Sequence, residues 1–324
     1  MPHADTLDAY AHVSLPRFCS PEDMLAVMDA YGVGKALIST ARTCPDLKTL
    51  SDAIAQYPDR FRAVGLPIGR GIDELRRSIF EQLDRGFDGV RMPDSLIASQ
   101  PEVLDEFAKF DCLIVLVGRE GLLSASSLLA DFLDANPGCR VLAADFAGPT
   151  RPAIFDEVPS VRRLFQHERF GVIFSNHGAI DADVLIPWAR AVVDLVGWDR
   201  LLYGSGFPVS LWRNESYAST WEWIERHLSA ATEADKHKLF CENAERMIFA
   251  SERRRVRPLP RDLQRPKPQP KRSPVRLLSE TGLELPEKAH YRLLQGYLRR
   301  EGKPITYAEY LAKLLMKASG RLDV

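Results

Sequence analysis

The stretch FRAVGLPIGRGIDELRRSIFEQLDRGFDGVRM, residues 61–92, holds one complete strand–helix–strand unit. Phe61–Leu66 is short, apolar and unalternated, the pattern of a strand covered on both faces. Ile72–Arg85 places Leu75, Ile79 and Leu83 on one helical face, and Gly86 stands where a helix stop belongs. Gly89–Met92 then starts a second strand, and a helical crossover between two strands implies a parallel pair.

The same alternation continues in both directions. The predicted strands are Leu7–Val13, Lys35–Ser39, Phe61–Leu66, Gly89–Met92, Leu113–Val117, Arg140–Ala144, Gly171–Ser175 and Leu201–Gly204. Between them, Ser20-Pro21-Glu22-Asp23 supplies an N-cap, a first-turn proline and acids at the positive end of a helix dipole. Thr232-x-x-Asp235 resembles a capping box that opens a helix running to Ile248. Eight such alternations within 250 residues predict an α/β protein, a (β/α)8 TIM barrel over 1–250. An open doubly wound sheet is the competing arrangement, and no GxGxxG follows the first strand to support it.

The chain has 324 residues, 45% hydrophobic and 27% charged, which excludes wholesale disorder and a disulfide-stapled mini-fold. Leu113–Val117 is the longest aliphatic run, too short for a bilayer, so no membrane role is expected. Met1-Pro2-His3-Ala4-Asp5 lacks the basic and apolar blocks of a signal peptide. Cys19, Cys44, Cys112, Cys139 and Cys241 form no CxxC and predict reduced thiols in a cytoplasmic protein.

Charge is divided unevenly. Residues 251–324 carry 18 Lys and Arg against 8 Asp and Glu, leaving 25 basic and 36 acidic residues in 1–250. Within 251–276, prolines at 258, 260, 266, 268, 270 and 274 predict a semi-rigid linker. Beyond it, 277–324 predicts a small helical segment, with Tyr291, Leu294 and Leu298 on one stripe and a capping box at Thr306-x-x-Glu309. The basic linker reads either as a nucleic-acid contact or as a linker whose positive charge lies against the acidic barrel or an acidic partner. The second is preferred, because no aromatics are interleaved for base stacking.

Four segments, in order, resemble one family. They are Leu7-Asp8-Ala9-Tyr10-Ala11-His12-Val13, Gly86-Phe87-Asp88-Gly89-Val90-Arg91, Arg200-Leu201-Leu202-Tyr203-Gly204-Ser205-Gly206-Phe207-Pro208 and Glu242-Asn243-Ala244-Glu245-Arg246. Together they look like the amidohydrolase-related family, metal-dependent (β/α)8 hydrolases and decarboxylases of the aminocarboxymuconate-semialdehyde decarboxylase type. The resemblance implies a divalent cation at the C-terminal end of the barrel. Its ligands would be a His-x-His pair on the first strand, a histidine after the fifth and an aspartate after the eighth. A histidine after the sixth strand would move protons. Such a cation polarises a carbonyl or lowers the pKa of bound water to roughly 7.

At those positions this chain has Tyr10 with His12, Val117-Gly118, Gly206 and Asp145. The expectation is therefore no metal and no cofactor, in a barrel of relaxed or redirected function. His12 reads as a retained ligand or proton carrier, or as a hydrogen-bonded core histidine. Asp145 with His12 and His177 would form a catalytic acid/base cluster; alternatively Asp145 caps a helix or pairs with a base. Tyr10, Arg91, Arg119 and Ser205 are the candidate substrate-binding residues. Either arginine could clamp a carboxylate bidentately or pair with Asp145 or Glu120. A cation site rebuilt from His12, Glu120, Asp145 and His177 is the chemical alternative.

The leading functional expectation is a degenerate barrel that binds or scaffolds another protein, either an intact paralogous barrel or a second copy in a homo-oligomer. The other is a metal-independent hydrolase or lyase acting on a small carboxylic acid.

Overall fold

The structure, a computed structural model, describes residues 5–14, 18–40, 42, 45–213 and 215–264, with two short strands at 275–278 and 283–285. Eight strands form one parallel sheet in sequence order: β1 (Thr6–His12), β2 (Val33–Ser39), β3 (Phe61–Gly65), β4 (Gly89–Pro93), β5 (Leu113–Val117), β6 (Arg140–Ala143), β7 (Phe170–Phe174) and β8 (Leu201–Tyr203). The sheet closes just beyond β8. Gly206 N–H donates to Tyr10 O at 2.9 Å, and His12 N–H donates to Phe207 O at 2.8 Å. Helices stand between the strands, so the chain is a (β/α)8 barrel.

Local chemistry explains the helices. Ser20 Oγ accepts from Asp23 N–H at 3.1 Å and starts Pro21–Ala30. The helix Ile72–Asp84 buries Leu75, Ile79 and Leu83 against the sheet. Gly86 follows it with φ +98°, and a Cβ there would lie 3.0 Å from Val256 Cα, so both backbone angle and space require glycine. The capping box at Thr232 and Asp235 forms as expected. Its helix continues in wider π-type turns over Lys238–Glu242 and Glu245–Phe249.

Those turns present Ala244, Met247, Ile248 and Phe249 to the barrel interior. There they join Leu7, Leu37, Val64, Leu113, Leu142 and Leu202 in a continuous apolar core that plugs the floor, the end where the strands begin. Below it, Arg62 pairs with Asp88 at 2.8 Å and donates to Phe249 O at 2.9 Å. The chain after 250 runs across this floor. Arg253 donates to Phe61 O, Arg254 to Asp111 O and Phe87 O, and Arg257 pairs with Asp84. Leu259 and Leu263, the latter in the short helix Arg261–Gln264, join the cluster of Leu47, Leu50 and Ile54.

Thus residues 251–264, the first part of the expected linker, lie against the barrel. The remainder at 265–274 and the expected helices beyond 286 fall outside the described residues. Val275–Leu278 and Leu283–Leu285 pair as an antiparallel hairpin. Among the described residues, no helix is long and apolar enough to cross a membrane.

Candidate functional site

Side chains alternate along a strand, so the apolar clusters fix which positions face the barrel axis. Ala11, Val90, Met92 and Phe174 pack outward under the helices. Tyr10, His12, Arg91 and Ser175, one residue away, therefore face the mouth at the C-terminal end. Arg91 Nη1 donates to Tyr10 Oη at 3.2 Å. The His12 ring lies edge-on to Tyr10, centroids 4.7 Å apart, and stacks on Phe18 at 5.1 Å. Burial pushes the Tyr10 phenol up to about 12, with Arg91 pulling it down and Asp145 adding to the rise. Tyr10 therefore keeps its proton at neutral pH.

Two donors at this level are buried without a hydrogen-bond partner among the described residues: Arg91 Nε and Ser39 Oγ. Ser39 ends β2 in register with His12. The same condition holds for Arg254 Nε at the floor and Arg169 Nε before β7, but of these only Arg91 and Ser39 lie at the mouth.

Asp145, directly after β6, is held by its neighbours on β7. Its N–H donates to Ser175 Oγ at 2.9 Å, and Asp145 Oδ1 accepts from Ser175 Oγ at 3.0 Å and Asn176 Nδ2 at 2.7 Å. The backbone here is left-handed for three successive non-glycine residues, with φ of 55° at Asp145, 56° at Phe146 and 60° at Ala147. Each such residue costs about 1–2 kcal/mol. Packing holds the turn in place: Trp188 Nε1 donates to Phe146 O at 2.7 Å, and the Phe146 ring stacks on Phe174 at 4.4 Å.

A second left-handed turn follows β5 at Glu120, Gly121 and Leu122. The two turns are tied where Gly121 N–H donates to Gly148 O at 2.7 Å. They wall an open cleft of about 650 Å³ lined by Arg42, Pro93, Asp94, Arg119, Glu120 and Asp145, among others.

Beneath the mouth lies a carboxylate that sequence reasoning overlooked. Asp8 is fully buried and accepts four hydrogen bonds: Tyr10 N–H and Ser205 N–H at 3.0 Å, and Ser205 Oγ and Tyr217 Oη at 2.6 Å. Burial raises the Asp8 pKa, partly offset by the hydroxyls of Ser205 and Tyr217 and the two amides. Ser205, expected among the substrate-binding groups, is thus 1% exposed and directed at Asp8. Gly206 has φ +62°, and a Cβ built there would lie 2.3 Å from Asn176 Oδ1.

The structure brings Tyr10, His12 and Arg91 together, with Asp145 near enough to act on Tyr10 electrostatically. Arg119 lies with Asp145 on the wall of the cleft. Neither Arg91 nor Arg119 forms an ion pair among the described residues, although pairing with Asp145 or Glu120 was one sequence expectation. His177 is placed elsewhere: its Nδ1 is 3.2 Å from Thr220 Oγ1 and 4.0 Å from Glu215 Oε2, with its ring 6.0 Å from Trp223. Among the described residues, no three His, Cys, Asp or Glu side chains are grouped so that they could hold a metal ion.

Known proteins agree with this architecture. An amidohydrolase from Burkholderia multivorans with bound zinc superposes with a TM-score of 0.57 at 16% identity, covering 75% of this chain and 99% of that one. A 2,6-dihydroxybenzoate decarboxylase complexed with 2,6-dihydroxybenzoate gives 0.54 at 16% identity, covering 77% and 99%. An amidohydrolase from Bifidobacterium longum subsp. infantis gives 0.53 at 16% identity, covering 76% and 98%. At such identities these likenesses speak for the fold alone. No curated protein matches the chain. The amidohydrolase family model matches residues 2–249, from before β1 to the last turn of the floor plug. With three quarters of its length matched and the barrel built as the family builds it, the chain belongs to the amidohydrolase family.

Proposed function

We propose that this amidohydrolase-family barrel binds a small carboxylic acid at its mouth and acts on it by acid/base chemistry without a resident divalent cation. The residues present do not fit the cation implied by the family. An aspartate at 206 would have to displace Asn176, whose Oδ1 lies 2.3 Å from the Cβ position. Asp145 Oδ1 is already taken by Ser175 and Asn176. The guanidinium of Arg91 also reaches the Tyr10 hydroxyl and supplies positive charge at the mouth.

The observation that carries the proposal is the unpartnered Arg91 Nε, a buried cationic donor beside a protonated phenol. A carboxylate oxygen placed there would accept from Arg91 Nε, a charge-assisted bond that a neutral ligand does not match. Ser39 Oγ is a second donor at the same level. Tyr10 would hold its proton for an oxygen that gains negative charge during reaction. With Oδ1 of Asp145 occupied, Oδ2 is the atom to receive a proton, and His12 is the second proton carrier. The decarboxylase of similar fold was seen with an aromatic carboxylic acid, a member of the class to be tried first.

Elemental analysis of the purified chain, with thermal shift against a panel of small aromatic and aliphatic carboxylates, tests the proposal. We expect far less than one divalent ion per chain and a raised melting midpoint with carboxylates, lost in Arg91→Ala. One tightly held ion per chain, or carboxylate binding unchanged in Arg91→Ala, overturns it. The scaffolding alternative predicts no carboxylate response and a stable complex with a second barrel on gel filtration.

A further inference from the structure

The barrel brings two cysteines together that lie 27 positions apart in the chain and that the mouth does not use. Cys112 immediately precedes β5 and Cys139 immediately precedes β6, and the next residues, Leu113 and Arg140, are paired in register. The backbones join at that point, where Arg140 N–H donates to Cys112 O at 3.0 Å. Neighbouring parallel strands run about 4.8 Å apart, within the roughly 4.4–6.8 Å Cα window of a disulfide.

The two side chains converge on one atom. Cys112 Sγ donates to Phe107 O at 3.6 Å and Cys139 Sγ to the same oxygen at 3.5 Å, with Phe110 O at 3.3 Å from Cys139 Sγ. Gly138 allows this approach, because a Cβ there would lie 1.7 Å from Asp111 Oδ1. Both thiols are free and buried, at 2% and 1% exposure.

We propose that Cys112 and Cys139 form a dithiol modification site, oxidised by a small peroxide to an intramolecular disulfide that staples the starts of β5 and β6. The S–H of Cys112 and that of Cys139 both point at Phe107 O, so neither sulfur is singled out, and the step that starts at Cys139 balances identically when it starts at Cys112. The Cys139 thiolate attacks one peroxide oxygen; an S–O bond forms, the O–O bond breaks and hydroxide leaves, taking up a proton to become water. Cys112 sulfur then attacks Cys139 sulfur; the S–S bond forms, the S–O bond breaks and a second water leaves with the Cys112 proton. Two thiols give up two electrons in total, and one peroxide is reduced to two waters. Burial restricts access to small oxidants, which is why peroxide rather than a bulky disulfide is the co-reactant.

The test is peptide mapping of the full reduced chain after hydrogen peroxide, with remaining thiols alkylated in denaturant. Trypsin places Cys112 in the peptide 110–119 and Cys139 in 120–140. We expect these two peptides joined, about 2 Da lighter than the sum of their reduced masses, and separated by dithiothreitol. In either Cys112→Ser or Cys139→Ser, dimedone added in denaturant after the peroxide should label the cysteine that remains. Circular dichroism of the oxidised chain should match that of the reduced chain. Recovery of both peptides fully alkylated under conditions that oxidise the less buried Cys241, or pairing of either sulfur with a different cysteine, overturns the proposal.

Discussion

The two ends of this barrel treat their arginines in opposite ways. At the floor, Arg62, Arg253 and Arg254 donate to backbone carbonyls of Phe249, Phe61, Asp111 and Phe87, closing the end around an apolar plug. At the mouth, Arg91 reaches only a phenol and keeps a buried Nε without a partner among the described residues, while Arg119 lines an open cleft. The same strands supply both ends. Strand starts are joined by loops whose carbonyls can be satisfied internally. The loops after the strands are instead bent into left-handed turns at Glu120–Leu122 and Asp145–Ala147. Paired left-handed turns and an open cleft therefore coincide at one end, the end where barrels of this class carry their chemistry, whereas a buried Nε without a partner among the described residues occurs at both ends, on Arg91 and on Arg254.

The sharpest way to test that division is Arg62→Ala. Arg62 and Asp88 have side chains 5% and 13% exposed and pair at 2.8 Å. Removing Arg62 leaves the buried Asp88 carboxylate with the Ala63 amide and the more distant Arg253 and Arg254 charges, at about 3–5 kcal/mol. In a domain of this size that lowers the melting midpoint by roughly 6–20 °C. Measured below the lowered midpoint, carboxylate binding at the mouth should be unchanged; its loss in a folded variant would break the separation of the two ends.

Asp8, beneath the mouth, is expected to have a smaller effect. Asp8→Ala deprives four donors of their acceptor and should cost about 3 kcal/mol, read as a denaturant midpoint. The more informative variant is Asp8→Asn, through its pH dependence. The native pKa of Asp8 is raised above its ordinary value of 3.8, so the folded state holds this proton more tightly than the unfolded chain. Its contribution to stability is therefore greatest below that value, falls as pH rises through the raised native pKa, and is flat above it. The stability difference between wild type and Asp8→Asn should shrink with rising pH across this acid window. A difference that grows with pH would mean that the four donors outweigh burial.

Much of the frame was legible before the structure. All eight strands were placed to within two residues, since each is a short apolar run between helix signals that local chemistry dictates. Tyr10 and Arg91 were legible as inward-facing strand residues and Asp145 as a residue that follows β6. Their supports were not. Ser175 and Asn176 hold Asp145 from 30 and 31 positions away, and Ser205 and Tyr217 reach Asp8 across 197 and 209. Periodicity carries no information about such contacts. His177 shows the converse limit: a histidine just after a strand can turn toward the neighbouring helix, and this one contacts Thr220.

Gly206→Asp sharpens the view of the mouth at lower cost. An aspartate must adopt φ near +62° and push Asn176 aside, at about 1–3 kcal/mol. It should not create a tight divalent site, because His177 lies away toward Glu215 and Asp145 remains engaged. Titration calorimetry with zinc and manganese reads this directly, and micromolar binding by the variant alone would show that the cradle needs only its missing acid.

The smallest effect is expected at the rim of the floor. Arg77 and Asp262 pair at 2.9 Å, but their side chains are 54% and 57% exposed, so solvent competes for both charges. Arg77→Ala should change stability by less than about 0.5 kcal/mol, and still less at high salt. The segment across the floor is held instead by buried Leu259 and Leu263 and by the carbonyl contacts of Arg253 and Arg254. Hydrogen exchange at 259–264 measures its docking independently of global unfolding. Unchanged protection in Arg77→Ala would assign the attachment to apolar burial and backbone acceptors. A marked loss would make the attachment at the floor depend on exposed charge and would remove the contrast with the mouth, where Arg91 and Arg119 form no ion pair among the described residues.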